Sequence, residues 1–215
     1  MRTMSAPRPG WRIERALWRE GHGRVAGVDE VGRGPLAGPV VAGAVVLPFT
    51  RARWAAGLRD SKLLRARARE ELAAEVRERC DWGLGAVSVQ AIDQLGVAEA
   101  TRLAMRRAVL ALGQPADALI VDGREPVDRS LRRRPQVQRA VVGGDALCKS
   151  VAAASILAKV ARDGVMRQLE GRFPGYGFAR NKGYGSPEHL RALRRLGYST
   201  AHRLSFAPVR AVVRG

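Results

Sequence analysis

The chain has 215 residues, 46% of them hydrophobic, with 38 Lys and Arg against 20 Asp and Glu, a formal net charge of +18 and a pI near 11.5. That length suits one compact domain with a real core, and the mixed composition, with a mean hydropathy of -0.18, excludes both a disordered chain and a membrane-embedded one. No apolar run approaches the roughly 18 to 20 residues of a spanning helix, while a surface this basic concentrates polyanions, nucleic acid foremost.

Residues 1 to 10 have no periodicity and read as a disordered leader, with residues 11 to 215 forming a single domain. The first twenty residues lack the apolar centre of a secretory signal and carry Glu14 and Glu20, which a transit peptide avoids, so the expected address is the cytoplasm. "WRIERALWRE" predicts a short amphipathic helix with Trp11, Ala16 and Trp18 available for burial. "GRVAGVDEV" and "GPVVAGAVVLP" are two β-branched runs joined by a glycine-rich turn, a hairpin signal. In "DSKLL", Asp60 or Ser61 is placed to cap a helix through "LRARAREELAAEVRERC". "WGLGAVSVQ" alternates as a third strand, and "VAEATRLAMRRAVLALG" predicts a helix stopped by Gly113. "ADALIVDG" is a buried strand ending in Asp122, and "VQRAVVGGD" is expected to end at Asp145 in the same way.

"CKSVAAASILAKVARDGVMRQLE" is a long Ala-rich helix, apolar on more than one side and so expected to lie centrally against the sheet. The tail, "PGYGFARNKGYGSPEHLRALRRLG", mixes glycine, aromatics and cations before a short helix from Pro187 to Leu196. Cys80 and Cys148 have no metal-type spacing and read as reduced thiols. Strands first paired antiparallel, then alternating with helices, define an α/β layer architecture.

The chemistry lies in the strand ends. Asp29 with Glu30, Asp122 and Asp145 each close an apolar run, and the carboxyl ends of strands in an α/β sheet are where ligands gather. Several carboxylates in one place require cations, and hard oxygen donors suit Mg²⁺ or Mn²⁺, ions that promote phosphodiester displacement. Acids to hold metal inside a basic surface that holds phosphate is a consistent design for a nuclease. One tension is visible: neighbours on an ideal strand point to opposite faces, so Asp29 and Glu30 share a site only if the strand ends or bends there.

These segments resemble ribonuclease HII of bacteria. "GVDEVGRGPLAGPVVAGAVVL" is similar to the family's first motif, "DSKLL" to its Asp-Ser-Lys loop, "LIVDG" to its third acidic segment, "GGDALCKSVAAASILAKVARD" to its central motif, "YGFARNKGYGSPEH" to its tyrosine segment and "HRLSFAPV" to its closing motif. The resemblance implies a ribonuclease H-like fold, a mixed sheet flanked by helices with a small C-terminal helical segment. It implies cleavage of the RNA strand of RNA/DNA hybrids and nicking at single ribonucleotides in duplex DNA, by metal-dependent hydrolysis giving 5′-phosphate and 3′-hydroxyl ends. It implies Mn²⁺ or Mg²⁺ on Asp29, Glu30, Asp122 and Asp145. Gly32, Arg33 and Gly34 then contact the 2′-hydroxyl, Tyr184 packs on the following deoxyribose, and Ser61, Lys62 and Lys182 touch substrate. The chain is expected to act as a monomer.

The chain departs from the usual family pattern at Gly143 (Lys), Asn181 (His) and Leu63 (Lys), so Lys149 or Lys182 is left to assist the leaving group. Asp163, deep along the long helix, is assigned a salt bridge or cap, and His189 and His202 surface or packing roles. Two alternatives remain in view: ribonuclease HIII, whose members carry Gly-Lys-Gly where this chain has Arg33 and which have an extra N-terminal domain, and a non-catalytic nucleic-acid binding module, which makes no use of the acids.

Overall fold

The computed structural model describes residues 8–127 and 137–214. Helix α1 (Arg12–Arg19) leads into strand β1 (Val25–Val31), which turns back into β2 (Val40–Val46). A short helix α2 (Arg53–Ala56) and a single 3-10 turn (Ser61–Leu63) precede α3 (Ala66–Arg79), β3 (Asp81–Val87), α4 (Val89–Leu95) and α5 (Val97–Leu110). Strands β4 (Ala118–Asp122) and β5 (Val137–Val141) follow, then α6 (Gly144–Leu147), the 24-residue α7 (Lys149–Arg172), α8 (Phe178–Asn181), α9 (Pro187–Leu196) and α10 (Ala207–Arg214).

The strands form one five-stranded sheet in the order β3-β2-β1-β4-β5. β1 pairs antiparallel with β2, as the hairpin signal predicts, and β2 pairs antiparallel with β3; β4 adds parallel to β1 and β5 parallel to β4. Period-two alternation splits β1 cleanly. Val28 joins Ala104, Met105 and Ala108 in the core under α5, while Val25 joins Ile120 and Val151 on the α7 side. The sheet is therefore covered on both faces, and α7 and α5 are the two covers.

Close approach, not bulk, seats α7. A Cβ built on Gly27 would stand 2.2 Å from the backbone carbon of Ser150, and one on Gly43 would stand 2.6 Å from the Ala154 oxygen. Ala152, Ala153 and Ala154 keep the helix surface equally shallow, and all three are fully buried. Gly27→Ala must push α7 off the sheet, since the obstacle is backbone and has no rotamer to escape into; overpacking of this kind costs about 2–3 kcal/mol. A loss of unfolding free energy of that size, read as a lower urea denaturation midpoint at unchanged slope, is the expected result.

Several local expectations change. In α1 the fully buried residues are Glu14 and Leu17, while Trp11 and Trp18 pack partly buried on the core as expected and Ala16 is half-buried. Glu14 is buried because it caps another helix: its Oε1 accepts from the Ser150 backbone N–H at 3.0 Å and the Ser150 hydroxyl at 2.9 Å, at the start of α7. Asp60 caps only the 3-10 turn, through the Lys62 N–H, and α3 begins later, after an extended Arg65 with no side-chain cap. Helix α5 stops at Leu110 with right-handed Ala111, two residues before Gly113. Of the predicted leader, residues 1–7 lie outside the described residues; Pro9 is buried and Gly10 bridges to Cys148, so packing begins ahead of residue 11. Among the described residues no helix is long and apolar enough to cross a membrane, and Cys80 and Cys148 are free thiols.

The tail packs on the main unit. Tyr176, Phe178 and Ala201 join Ala37 and Met166 in one apolar cluster, and Leu193 and Val209 join Leu36 in another. Leu36 and Ala37 belong to the turn between β1 and β2, so the tail closes directly over the glycine-rich segment.

Candidate active site

Asp29, Glu30 and Asp122 present one carboxylate oxygen each within 4.8 Å of one another. The register explains how neighbours on one strand converge. Pairing of β1 with β4 ends at Val28 opposite Val121, so on that edge Asp29 and Glu30 lie past the last paired residues, next to Asp122 at the end of β4, while β2 stays paired with both on the other edge. Asp29 leaves on the α7 side and its Oδ1 accepts from the Glu30 N–H at 2.7 Å. Glu30 leaves on the α5 side and leans over the strand tip, lining clefts on both sides of the sheet. Asp122 is aimed by the Gly144 N–H, which donates to its Oδ1 at 2.7 Å.

Asp145 is placed differently from its sequence expectation. β5 ends at Val141, and left-handed Gly143 turns the chain into α6, which carries Asp145. It lines the same cleft as the other acids without belonging to the tight trio.

Charge in the cleft is frustrated. Burial first, then the charges of Glu30 and Asp122, raise the Asp29 carboxyl well above its ordinary pKa. Burial likewise raises Glu30, offset by Arg33, whose guanidinium lies 3.4 Å away and is mostly exposed. Burial, Asp60 and Asp122 raise Asp145. For Lys62, burial works to lower the ammonium pKa, but Asp60, Asp145, Asp29 and Asp122 together hold it above the usual value. An oxygen-only donor set whose members repel one another is what a hard divalent cation relieves, so these residues fit such an ion.

The cleft on this side, about 530 Å³, is lined by the four acids, by Gly32, Arg33 and Gly34, and by Lys62 and Tyr184. Its glycine-rich wall is held from behind by two arginines that are both 0% exposed. Arg203 donates to the carbonyls of Gly32 at 2.6 Å, Arg33 at 2.9 Å and Gly38 at 2.7 Å. Arg162 donates to those of Pro39 at 2.9 Å, Ala37 at 3.1 Å and Lys182 at 2.9 Å. In a planar trans peptide the N–H points opposite to the preceding C=O. Binding the Gly32 and Arg33 carbonyls therefore turns the N–H groups of Arg33 and Gly34 away from Arg203. Gly32, at φ 101, admits no side chain, since a Cβ there would meet Arg162 Nε at 2.2 Å.

The remaining predicted residues divide. Tyr184 is 49% exposed, and a Cβ built on Gly34 would stand 3.8 Å from its ring. Lys62 is exposed at the rim. Ser61 lines the cleft, but it is 2% exposed and its hydroxyl is shared with that of Ser155 at 3.1 Å, so it shapes the wall more than it meets solvent. The Lys182 ammonium is turned onto the Ala179 carbonyl and its pKa is lowered by burial. Lys149 does not reach the cleft: its Nζ donates to the Ala55 carbonyl at 2.6 Å, which removes it as a source of leaving-group assistance. Asp163 forms the expected salt bridge, with Lys159 at 2.7 Å and Arg69 at 3.7 Å. His189 and His202 are buried, so a packing role holds and a surface one does not. Arg69, Ser155 and Lys159, also on the cleft wall, were not singled out from the sequence: Ser155 and Lys159 fall inside the central motif without a role of their own, and Arg69 is an ordinary helix residue brought there by packing.

A mixed sheet with carboxylates at the adjoining strand ends, beside a loop with outward-turned amides, defines a nuclease of the ribonuclease H-like class. Residues 26–209 match the sequence model of ribonuclease HII. Ribonuclease HII of Syntrophotalea carbinolica is 50% identical over 201 residues, covering 92% of each chain. The crystal structure of ribonuclease H2 from Pyrococcus horikoshii superposes with a TM-score of 0.78 at 27% identity, covering 89% of this chain and 97% of that one. Bst-RNase HIII, solved in complex with Mn²⁺, shares the fold at 21% identity and a TM-score of 0.68, over 89% of this chain and 69% of its own. The chain belongs to the ribonuclease HII family and is an endoribonuclease.

Proposed function

We propose that this enzyme cleaves the RNA strand of RNA/DNA hybrids and nicks duplex DNA at single embedded ribonucleotides, leaving 5′-phosphate and 3′-hydroxyl ends. The observation that carries the reading is the adjacency of the Asp29, Glu30 and Asp122 trio to the outward-turned amides of Arg33 and Gly34. Scissile chemistry and ribose recognition then occupy one cleft. The 2′-hydroxyl both donates and accepts, and it is the group that separates RNA from DNA.

Asp29, Glu30 and Asp122, with Asp145 from α6, hold Mn²⁺ or Mg²⁺ in this reading. Such an ion, when bound, supplies Lewis acidity toward a phosphodiester. The chain's own groups do the rest. Gly32, Arg33 and Gly34 receive the ribose, Tyr184 covers the next deoxyribose, and Lys62 with the stem of Lys182 and the wall at Ser61 borders the backbone phosphates. A monomer in the cytoplasm completes the proposal. The Mn²⁺ of Bst-RNase HIII supports the choice of ions.

The test is a nicking assay on two duplexes, one with a single ribonucleotide and one with an all-RNA strand paired to DNA, each with Mg²⁺ and with Mn²⁺. Cleavage of both, with ends that ligate after phosphate analysis consistent with 5′-phosphate, is expected. Folded protein that leaves both duplexes intact in both metals overturns the proposal. Gly34→Ala sharpens it: the new methyl would project between the loop and the Tyr184 ring, where a ribose must enter, without touching the core. The expected result is a rise in KM of about tenfold, worth ~1.4 kcal/mol, with stability changed by less than about 0.5 kcal/mol.

A further inference from the structure

The hydrogen bonds of two buried histidines fix their tautomers. His189 and His202 are 0% and 1% exposed, and their Nε2 atoms lie 3.0 Å apart. The backbone N–H of Ser199 can only donate, and it lies 3.0 Å from His202 Nδ1, so that nitrogen accepts. A neutral His202 ring then carries its proton on Nε2 and donates it to Nε2 of His189. The His189 proton is left on Nδ1, 2.8 Å from the Tyr184 carbonyl, which can only accept. Donors and acceptors match at every step from Ser199 through His202 and His189 to Tyr184. Burial favours neutral rings, with the His202 pKa lowered to about 4 by burial and by His189.

The end of this chain is a segment that needs an outside hold. Lys182 and Gly183 are both left-handed, at φ 53 and φ 82, and they deliver a tyrosine whose ring is half exposed. Arg162 fixes the carbonyl of Lys182 at one end. At the other end the Tyr184 carbonyl takes both the Ser186 N–H at 2.8 Å and His189 Nδ1. The Tyr184 N–H is held on the Asn181 carbonyl at 3.0 Å, so fixing the Tyr184 carbonyl fixes the second of the two peptide planes that flank its Cα, hence the direction in which the side chain leaves the backbone toward Gly34.

We infer that His189 and His202 are positioning residues for substrate recognition, a directed hydrogen-bond chain from the tail loop at Ser199 that aims Tyr184 over the glycine-rich wall of the cleft. The inference rests on the proposed role of Tyr184 against the substrate sugar. It assigns the two histidines no contact with substrate.

The test combines a spectrum with a mutant cycle. The chain has three histidines, so a long-range ¹⁵N–¹H spectrum of labelled protein resolves them. His202 is expected protonated at Nε2 alone and His189 at Nδ1 alone; the reverse tautomers overturn the inference without any variant. In kinetics on the single-ribonucleotide duplex with Mn²⁺, His189→Gln puts an amide near the Nε2 position and leaves the Tyr184 carbonyl with the Ser186 N–H alone. KM is expected to rise about fivefold, the worth of one ordinary hydrogen bond, with kcat little changed. His189→Asn, whose amide nitrogen stands near the Nδ1 position, is expected to restore most of that KM. On a Tyr184→Ala background, His189→Gln is expected to add nothing. An equal penalty in both backgrounds overturns the positioning role alone. A Tyr184→Ala variant with unchanged KM instead overturns the substrate role of Tyr184, and this inference falls with it.

Discussion

Asp29→Asn is expected to abolish cleavage, by about 10³-fold or more, and at the same time to make the metal-free protein more stable. The activity loss follows from removing a charged oxygen donor from the trio; several kcal/mol of transition-state stabilisation is at stake, and each ~1.4 kcal/mol is tenfold in rate. The stability gain follows from the same geometry. Asp29 is 5% exposed and its carboxyl is raised by burial and by the charges of Glu30 and Asp122, so its ionised form is a strained tenant of the fold. Asparagine keeps the Oδ1 acceptor that the Glu30 N–H uses and exchanges the second, charged oxygen for a neutral amide nitrogen, toward which the Ser155 hydroxyl can turn its lone pair. Because the folded protein binds this proton more tightly than the unfolded chain does, stability declines as pH rises from the ordinary carboxylate range through the raised value. Thermal unfolding of metal-free protein across that range should show the decline in the wild type and a flatter profile in the variant. At neutral pH the variant should gain about 0.5–2 kcal/mol. A variant that is both inactive and less stable would sink the account of the cluster as a repulsive one.

Arg203→Met is expected to have the largest effect on stability, a loss of roughly 3–5 kcal/mol. The guanidinium is fully buried and serves the carbonyls of Gly32, Arg33 and Gly38, all of which a thioether leaves without their donor. Burial, then the nearby charge of Arg162, pulls the Arg203 pKa down to about 9, so the group stays cationic at neutral pH with backbone dipoles as its partners. Arg203→Lys, with one compact ammonium in place of a planar fork, can satisfy only part of the set. It should lose less stability, and what folds should still cleave poorly because the Arg33 and Gly34 amides are no longer aimed. Denaturation midpoints and KM on the single-ribonucleotide duplex measure the two effects separately. Full activity in a folded Arg203→Lys variant would show that the loop holds its shape without the fork.

How legible these features were depends on how far apart the partners lie. Asp29, Glu30 and Asp122 stood out because each closes an apolar run, and a strand end is a local pattern. Asp145 stood out too, but its position on α6 did not, because Gly143 adopts a left-handed turn that ends β5 four residues sooner. The cap expected from Asp60 went to a 3-10 turn, and Gly113 was overtaken by an α5 that had already stopped, since local stop signals yield to packing. The buried arginines lie inside quoted motifs, Arg162 in the central one and Arg203 in the closing one, but nothing in the sequence set them apart or gave them a role. Arg203 reaches carbonyls 165 to 171 residues away, and any arginine in so basic a chain looks solvated. Glu14 was read as a sign against a targeting peptide, and its capping of α7 needed a partner 136 residues on.

By itself the sequence determined the donor chemistry, the hairpin, the long shallow helix and the glycine-rich turn, because these depend on residue type and short spacing. Only the tertiary structure decided that Asp29 and Glu30 share a site. That convergence depends on where β4 stops beside β1, a register between strands some ninety residues apart, and no property of either residue or its neighbours contains it.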